Sequence, residues 1–453
     1  MSNLLYNKNT VIGRLFCYFS VYFKNVPAPT AESLFLLLVS MLALESAHSI
    51  RFLYQHFLSK VTEKSLNAFY YACSYAKADY STFMNTTIRI ALNIIPKSIA
   101  YHPVFLCIDD TMVPKSGKKF EHISKLYDHA AHNGSSYLNG HCFVSIMLCV
   151  PVWKNRKISY LSIPIGYRMW DKSKSKLQLA ADMVRQVMPE LAGQKQVILL
   201  FDSWYAKKDL LCVVDEFSNL DIICGARSDT ALYDLAPPHT GKPGRPKKRG
   251  ERLSLQTDFL MSKEKIGGYF LGYRFVLTNL FGKRKVLAYA TSANETQDSR
   301  RLFLSTISPK DLRFACAWFE DAPINQTGWQ WMDYLPFFLY KIRWNIEVSY
   351  YEQKSFWSLC CYMVRHQKGM EMLVNLINLA YSATKLLPYV DTNFSSCQTQ
   401  STQEFRFLLS EQIREQVIFT NFAQSLENGI KTKAILTLLK QKVFGFHSHT
   451  QNL

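Results

Sequence analysis

Three acidic residues lie where carboxylates could hold divalent cations. The apolar run VFLCIDDT (104–111) carries two acids before its final Thr, and QVILLFD (196–202) ends in an acid. Glu347 lies in YKIRWNIEVSYYEQK (340–354). Both runs have the composition of buried central strands, and they place Asp109 and Asp202 at the strand ends. Two or three carboxylates around hard divalent cations are a standard means of stabilising the attacking and leaving oxygens in phosphoryl transfer. The acids therefore indicate a phosphoryl-transfer site.

The segment around Glu347 also carries two basic residues. On one α-helix each residue turns about 100°, so four residues would lie within roughly 60° of one another: Tyr340, Arg343, Glu347 and Lys354. No proline interrupts residues 341–367, so a continuous helix is expected there. The stripe alone could be a solvated Arg–Glu–Lys ladder, but the two strand-end aspartates favour a site. Glu352 lies about 140° from Glu347 and is expected to face solvent.

The elements around these acids predict an α/β order. GHCFVSIMLCVPVW and KISYLSIPIGYRMW, joined by KNRK, indicate a hairpin, and SKLQLAADMVRQVMPEL has helical periodicity before the strand that ends at Asp202. From about residue 225 to 320, short β-patterned segments separated by turn residues indicate a β-rich insertion. Residues before about 100 and after about 390 show helical spacing.

The charge balance favours a polyanionic partner. Lys and Arg number 53 against 35 Asp and Glu, which gives a net charge of +18, so nucleic acid is expected first and an anionic membrane surface second. The run LFLLLVSMLAL has eleven residues, about half of the roughly 20 needed to span a bilayer, so a buried helix is expected. The eleven cysteines show no CxxC pair, and residues 1–10 are polar where a secretory leader would be basic and then apolar. Export is therefore not expected, and a cytoplasmic protein with reduced thiols is favoured.

A basic loop lies inside the β-rich stretch. GKPGRPKKRGER (241–252) contains six basic residues, of which four are the candidate DNA contacts: Arg245, Lys247, Lys248 and Arg249. Gly-Arg-Pro flanked by basic residues is similar to an AT-hook, which lays Arg into a narrow minor groove. The alternative is a solvated loop without a ligand.

The spacing Tyr-x2-Arg-x3-Glu-x6-Lys resembles the signature of bacterial insertion-sequence transposases of the DDE class. IDDTMVPKSGKKF and LLFDSWYAKKDLL are similar to their two Asp segments, and the resemblance covers roughly residues 100 to 385. It implies a ribonuclease-H-like catalytic core interrupted by a β-rich insertion. It also implies that Asp109, Asp202 and Glu347 bind two Mg²⁺ ions, for which Mn²⁺ can substitute. Tyr340, Arg343 and Lys354 would then grip DNA phosphates.

Two details stay open within this resemblance. Aligning Thr111 makes Asp109 the first ligand, but Asp110 competes, since successive strand side chains face opposite ways and only one can point at the metals. Asp202 could instead be an N-cap. Relatives often carry Arg-Gly-Phe after the second Asp, whereas this chain has FDSWYA, so Trp204 or Tyr205 is expected to pack there.

The resemblance divides the chain into five expected regions. They are a helical DNA-end-recognition domain (1–100), the first part of the core (101–224), the β-rich insertion with its basic loop (225–325), the rest of the core with the catalytic helix (326–390), and a C-terminal helical region for dimerisation (391–453).

The expected function is DNA transposition by cut and paste, with two-metal-ion cleavage and joining of insertion-sequence ends. The expected partners are double-stranded DNA, as terminal inverted repeats and target, and a second copy of the chain in a synaptic complex, with no membrane. A nucleoid-associated bacterial protein is implied. The alternatives are a catalytically silent, element-derived DNA-binding protein and a ribonuclease-H-like nuclease unrelated to transposition.

Overall fold

A mixed β-sheet runs through the computed structural model, which describes residues 7–45, 49–127, 136–238, 246–312, 330–427 and 437. Its strands are β1 Val104–Pro114, β2 Ser124–Tyr127, β3 Tyr137–Lys154, β4 Lys157–Met169, β5 Val197–Phe201, β6 Leu220–Ala226, β7 Leu232–Tyr233, β8 Arg252–Leu253, β9 Phe270–Thr278, β10 Val286–Ser292 and β11 Arg301–Ser305. Their order is β2-β3-β1-β5-β6-β11-β10-β9-β7-β8, and β4 pairs with β3.

The centre of the sheet is parallel and one side of it is an antiparallel hairpin. Strands β1, β5 and β6 pair in parallel, and β5 is buried along its whole length, as a continuous apolar run predicts. Strands β3 and β4 form the predicted hairpin, with Lys154 opposite Lys157. Asn155 and Arg156 between them have φ of 50° and 63°, which suits a tight turn between twisted strands.

The β-patterned segments after residue 225 continue the same sheet. The predicted strands appear as β9, β10 and β11, and β11 pairs antiparallel with β6. The sheet therefore extends directly from the strands that carry the aspartates into the stretch expected as an insertion.

The helices cover both faces of the sheet. They are α1 Val11–Ser20, α2 Ala28–Ala43, α3 Ile50–Leu53, α4 Ser59–Val61, α5 Leu66–Ser74, α6 Ser81–Asn93, α7 Lys176–Val187, α8 Lys208–Leu211, α9 Leu335–Leu339, α10 Trp344–Phe356, α11 Gln367–Val390 and α12 Thr402–Glu427. A π-helical turn, Tyr54–Leu58, joins α3 to α4, and a 3₁₀ turn, Tyr340–Arg343, joins α9 to α10.

One hydrophobic core joins the terminal helices to the sheet. It combines buried residues of α1, α2, α11 and α12 with one face of β1 and β3, and a second core lies under α7 on the opposite face. Helix α2 is buried from Ser33 to Ala43, as expected for LFLLLVSMLAL. Among the described residues, no helix combines the length and apolarity that a bilayer crossing needs.

A buried arginine ties three helices together. Arg406 of α12 donates from Nη2 to the carbonyl oxygens of Met41 (3.1 Å) and Leu44 (2.6 Å), and from Nη1 to that of Phe356. Its guanidinium lies 3.9 Å from the ring centre of Trp357. Burial lowers the pKa of this guanidinium to about 9. Arg406 thus satisfies carbonyls at the ends of both α2 and α10.

The expectation of one helix through residues 341–367 is wrong. The 3₁₀ turn precedes α10, α10 ends at Phe356, and α11 begins only at Gln367. Between them Ser358 has φ of 57°, while Trp357 and Tyr362 are buried in the core. Burial of these aromatic side chains outweighs the helical preference of the segment, as tertiary packing often does.

Candidate active site

Asp109 and Asp202 both lie just beyond the last paired residues of β1 and β5. Asp202 directly follows β5, but the expected strand end at Asp109 is wrong, because β1 continues to Pro114. Cys107 of β1 is opposite Leu200 of β5 in the parallel register, and each aspartate follows two residues later. Asp202 Oδ1 accepts backbone N–H bonds from Trp204 (3.0 Å) and Tyr205 (3.2 Å). The N-cap position of α8 is Lys207, so Asp202 does not cap that helix. The sheet therefore brings the two predicted carboxylates side by side.

Arg343 links the first aspartate to the predicted glutamate. Its Nη1 lies 3.2 Å from Asp109 Oδ2, and its Nη2 lies 2.6 Å from Glu347 Oε1. The side chains of Arg343, Asp109 and Glu347 are 13%, 19% and 35% exposed. The Nε of Arg343 is buried and has no hydrogen-bond partner among the described residues. A guanidinium thus lies between two carboxylates that were expected to share metal ions.

The two aspartates resist ionisation. Burial, followed by the charge of Asp202, raises the pKa of Asp109 to about 7, although Arg343 opposes the shift. Burial also raises the pKa of Asp202, against the backbone N–H bonds and Arg343. Two neighbouring carboxylates in a partly dry site favour a proton or a cation between them. A positive charge bound near Asp109 and Asp202 would therefore stabilise their ionised forms.

Asp110 faces the other way. Its Oδ2 lies 2.7 Å from Lys176 Nζ and 3.0 Å from Cys142 Sγ, and its Oδ1 accepts from the Tyr205 hydroxyl at 2.9 Å. Alternation along β1 explains why adjacent aspartates have separate partners. This geometry favours Asp109 as the first ligand, because the carboxylate of Asp110 is already enclosed by donors.

Tyr340 and Lys354 occupy different environments. The Tyr340 ring packs against Phe303 with centroids 5.0 Å apart, and burial raises the pKa of its hydroxyl. Lys354 is half-buried near the end of α10 and forms no ion pair with any residue in the described ranges. The structure therefore places Tyr340 and Arg343 beside the aspartates and leaves Lys354 available for another anion.

The basic loop is remote from the carboxylates. Lys247, Lys248 and Arg249 are exposed, and Arg249 lies 4.1 Å from the ring centre of Tyr233 in β7. In the sheet order, four strands separate β7 from β5. Arg245 lies outside the described residues. Any contact of this loop with DNA would be made away from the reacting phosphate.

The surroundings of Glu352, Trp204 and Lys176 differ from what the sequence alone predicts. Glu352 was expected to face solvent, but it accepts a hydrogen bond from the Tyr381 hydroxyl, because α11 packs against that side of α10. Tyr205 is buried, as expected for one of the pair, but Trp204 is 40% exposed. The partnership of Lys176 with Asp110 joins residues 66 positions apart, and no local pattern indicated it.

The carboxylates suit a hard cation chemically, but they are not assembled around one. Carboxylate oxygens are the ligands that Mg²⁺ prefers. Within the described ranges, however, no group of three or more His, Cys, Asp or Glu residues is arranged to hold a metal ion. The guanidinium of Arg343 lies between Asp109 and Glu347. An ion shared by these two residues would have to replace it.

Comparison with known proteins adds the family. A model of the family described as DDE superfamily endonuclease matches residues 22–259, a range that contains Asp109 and Asp202 and ends before Glu347. A solved structure, the piggyBac transposase synaptic complex with hairpin DNA, aligns at 12% identity with a TM-score of 0.44, over 97% of this chain and 84% of that chain. Comparison with the curated proteins finds no match. Since the family match spans more than half of the sequence, the chain belongs to the DDE superfamily endonucleases.

Proposed function

We propose that the protein is a DNA transposase that cleaves and joins the ends of a bacterial insertion sequence by cut and paste. The observation that carries the proposal is the side-by-side placement of Asp109 and Asp202, to which Arg343 connects Glu347. Two adjacent carboxylates, with a third connected to them through Arg343, would repel a phosphate unless cations intervened, so mere DNA binding does not explain them. The net charge of +18 supports a DNA substrate.

The core of the proposed enzyme is ribonuclease-H-like. Strands β4, β3 and β1 are antiparallel neighbours, α7 follows, and β5 and β6 then add in parallel. This order supports the catalytic core implied by the resemblance, with residues 225–325 as its insertion and 326–390 as its continuation. A ribonuclease-H-like core also explains why Asp109 and Asp202 are carried by the neighbouring strands β1 and β5.

The proposed cofactor is a pair of Mg²⁺ ions, with Mn²⁺ as a substitute, held by Asp109, Asp202 and Glu347. When bound, such ions would activate a water molecule and neutralise charge on the scissile phosphate. Arg343, once released from the carboxylates, would form a forked contact with a DNA phosphate, and Tyr340 and Lys354 would hold neighbouring phosphates. Attack of water on the phosphodiester would break its P–O3′ bond and free a 3′-hydroxyl. That hydroxyl would then attack a phosphodiester of the target DNA and displace the target's own 3′-hydroxyl, without a covalent enzyme intermediate.

The proposed partners are terminal inverted repeats, target DNA and a second copy of the chain, acting on the bacterial nucleoid. Residues 1–100 would recognise the repeats. Residues 391–453 would hold the dimer, and the exposed Phe407 and Phe419 of α12 support this role. The basic residues Arg245, Lys247, Lys248 and Arg249 would contact DNA away from the cleavage site.

A catalytically silent, element-derived DNA-binding protein is the second candidate. The observation in its favour is the ion pairing of Arg343 with two of the three proposed ligands. A ribonuclease-H-like nuclease outside transposition would share the carboxylates but would not need to recognise terminal repeats.

Metal-dependent nicking tests the proposal. DNA carrying the sequences that flank the gene is incubated with Mg²⁺ or Mn²⁺ and either wild type or Glu347→Gln. The expected result is cleavage at the element boundary by wild type, and its loss in the variant while binding persists. Tight binding without cleavage by either protein would favour the silent DNA-binding protein. Cleavage without preference for the element ends would favour the general nuclease.

A further inference from the structure

A row of alternating lysine and tryptophan side chains leads away from Asp202. The row consists of Lys172, Trp170, Lys176, Trp204 and Lys207, and it is called the Lys–Trp row below. The Nζ atoms of Lys172 and Lys176 lie 5.7 and 5.3 Å from the ring centre of Trp170. Those of Lys176 and Lys207 lie 5.2 and 4.7 Å from that of Trp204. Each lysine–indole distance is within the range of a cation–π contact.

The row is held against the candidate active site by Trp204 and Lys176. The backbone N–H of Trp204 donates to Asp202 Oδ1 at 3.0 Å, and the ring packs edge-on against Tyr205. Lys176 forms the 2.7 Å ion pair with Asp110, the neighbour of Asp109. Trp204 and Lys176 therefore have defined positions next to the two aspartates.

Three members of the row face solvent. Trp204 is 40% exposed, and Lys172 and Lys207 are exposed. The Nε1 of Trp170 is bonded to the Lys174 carbonyl at 2.9 Å, so this ring is oriented although it is only half-buried. An exposed indole that has a solvent-exposed lysine on its face can exchange that lysine for another partner.

We propose that the Lys–Trp row binds an unpaired stretch of the DNA strand next to the scissile phosphate. Bases would stack on the indoles of Trp204 and Trp170, and phosphates would pair with Lys207 and Lys172. Stacking on aromatic rings within a positively charged groove is how proteins hold single-stranded nucleic acid without sequence preference. Bases paired inside a duplex do not offer their faces in this way, so the row selects a strand that has been opened.

This inference rests on the proposed function for its choice of DNA as the ligand, but its test does not require cleavage. Binding of a fluorescent single-stranded oligonucleotide is measured in EDTA, with the matching duplex as comparison. Wild type, Trp204→Ala and Trp204→Phe are compared with Trp153→Ala, a control with 39% exposure at the far end of the β3–β4 hairpin. Thermal unfolding establishes that each variant is folded.

Trp204→Ala is expected to weaken single-strand binding by roughly 5- to 150-fold, the effect of losing one stacked base. The affinity of this variant for duplex should change much less, Trp204→Phe should retain part of the single-strand affinity, and Trp153→Ala should behave as wild type. Lys207→Ala should reduce the slope of log affinity against log salt by about 0.7. A 2-aminopurine base in the oligonucleotide should be quenched by wild type and not by Trp204→Ala.

Two results would overturn the inference: single-strand affinity unchanged in Trp204→Ala, or an equal loss in Trp153→Ala. Failure of the proposed function gives a different pattern. If Mg²⁺ and Mn²⁺ support no cleavage but Trp204 still governs single-strand binding, the Lys–Trp row stands and the transposase assignment falls. If metal-dependent cleavage occurs at the element ends while Trp204→Ala binds single strands as wild type does, the transposase assignment stands and the proposed role of the Lys–Trp row falls.

Discussion

Arg343 donates to the carboxylate of Asp109 across 3.2 Å, and both side chains are more than four-fifths buried. The same guanidinium reaches Glu347 at 2.6 Å. A buried ion pair is costly to break on one side only, since the remaining charge loses its compensation. Arg343 therefore acts as an internal counter-ion for the carboxylates that are proposed to receive metal ions.

Removing this counter-ion should tighten divalent cation binding. For Arg343→Gln we expect Mn²⁺ affinity to rise about tenfold, because a competing unit charge a few ångströms away contributes on the order of 1–4 kcal/mol. Isothermal titration calorimetry without DNA measures this directly. Lys354→Gln removes a positive charge from α10, the helix that carries Glu347, at a residue that forms no ion pair with the carboxylates within the described ranges. It should change the affinity by less than about twofold. A weaker Mn²⁺ affinity in Arg343→Gln would contradict the counter-ion role.

The raised pKa of Asp109 predicts a pH-dependent stability in metal-free buffer. Burial and Asp202 move this pKa from 3.8 to about 7, so between these values the folded protein holds a proton that the unfolded chain releases. The contribution of Asp109 to the free energy of unfolding therefore falls as pH rises from about 4 to 7, by at most about 1.4 kcal/mol per pH unit. It is constant above that window.

Asp109→Asn should abolish this dependence. Urea unfolding in EDTA at about pH 5 and pH 8 should show the variant gaining stability relative to wild type at the higher pH, by a few kcal/mol. If the difference in the free energy of unfolding between the two proteins is the same at both pH values, Asp109 is ionised in the folded protein at both, which contradicts the prediction.

Substitution of Asp109 and of Asp110 should affect different properties, namely metal affinity for Asp109 and stability for Asp110. Asp110→Asn removes the ion pair with Lys176, whose members are 16% and 17% exposed. Because the lysine then loses its counter-charge, we expect a loss of about 2–3 kcal/mol in the free energy of unfolding. Asp109→Asn should instead lower Mn²⁺ affinity by at least about tenfold, with Asp110→Asn keeping most of it. Calorimetry and urea unfolding on both variants test this, and the reverse assignment would make Asp110 the ligand.

Arg406 should be one of the most sensitive positions for stability. Arg406→Met keeps much of the side-chain volume but leaves the carbonyls of Met41, Leu44 and Phe356 without this donor. We expect a loss of about 3 kcal/mol or more in the free energy of unfolding, measured with urea. Glu411→Ala, at an exposed position of the same helix, should cost less than about 0.5 kcal/mol. A change of that small size in Arg406→Met would show that water replaces the guanidinium.

The sequence predicted the parts that depend on local pattern. The runs that form β1 and β5 are apolar and rich in β-formers, and the β3–β4 hairpin has a visible turn, so these elements could be predicted without tertiary context. The positions of Asp109 in β1 and of Asp202 after β5 could be predicted with them, although β1 does not end at its aspartates. The partners of Arg343, Lys176 and Glu352 depend on how distant segments pack, and no spacing in one chain encodes that directly. The helix break at Trp357 has the same origin, since burial overrides the local preference.

The contacts of Arg406 have a consequence for synthesis on the ribosome. The carbonyl of Met41 emerges first, and its donor follows 365 residues later, which corresponds to roughly 20 to 70 s of translation. The end of the helix that carries Glu347 depends on the same guanidinium. Asp109 and Asp202 are therefore synthesised long before Arg406 can bind the end of the helix that carries Glu347. We expect the capacity to cut DNA to arise only when translation has passed residue 406.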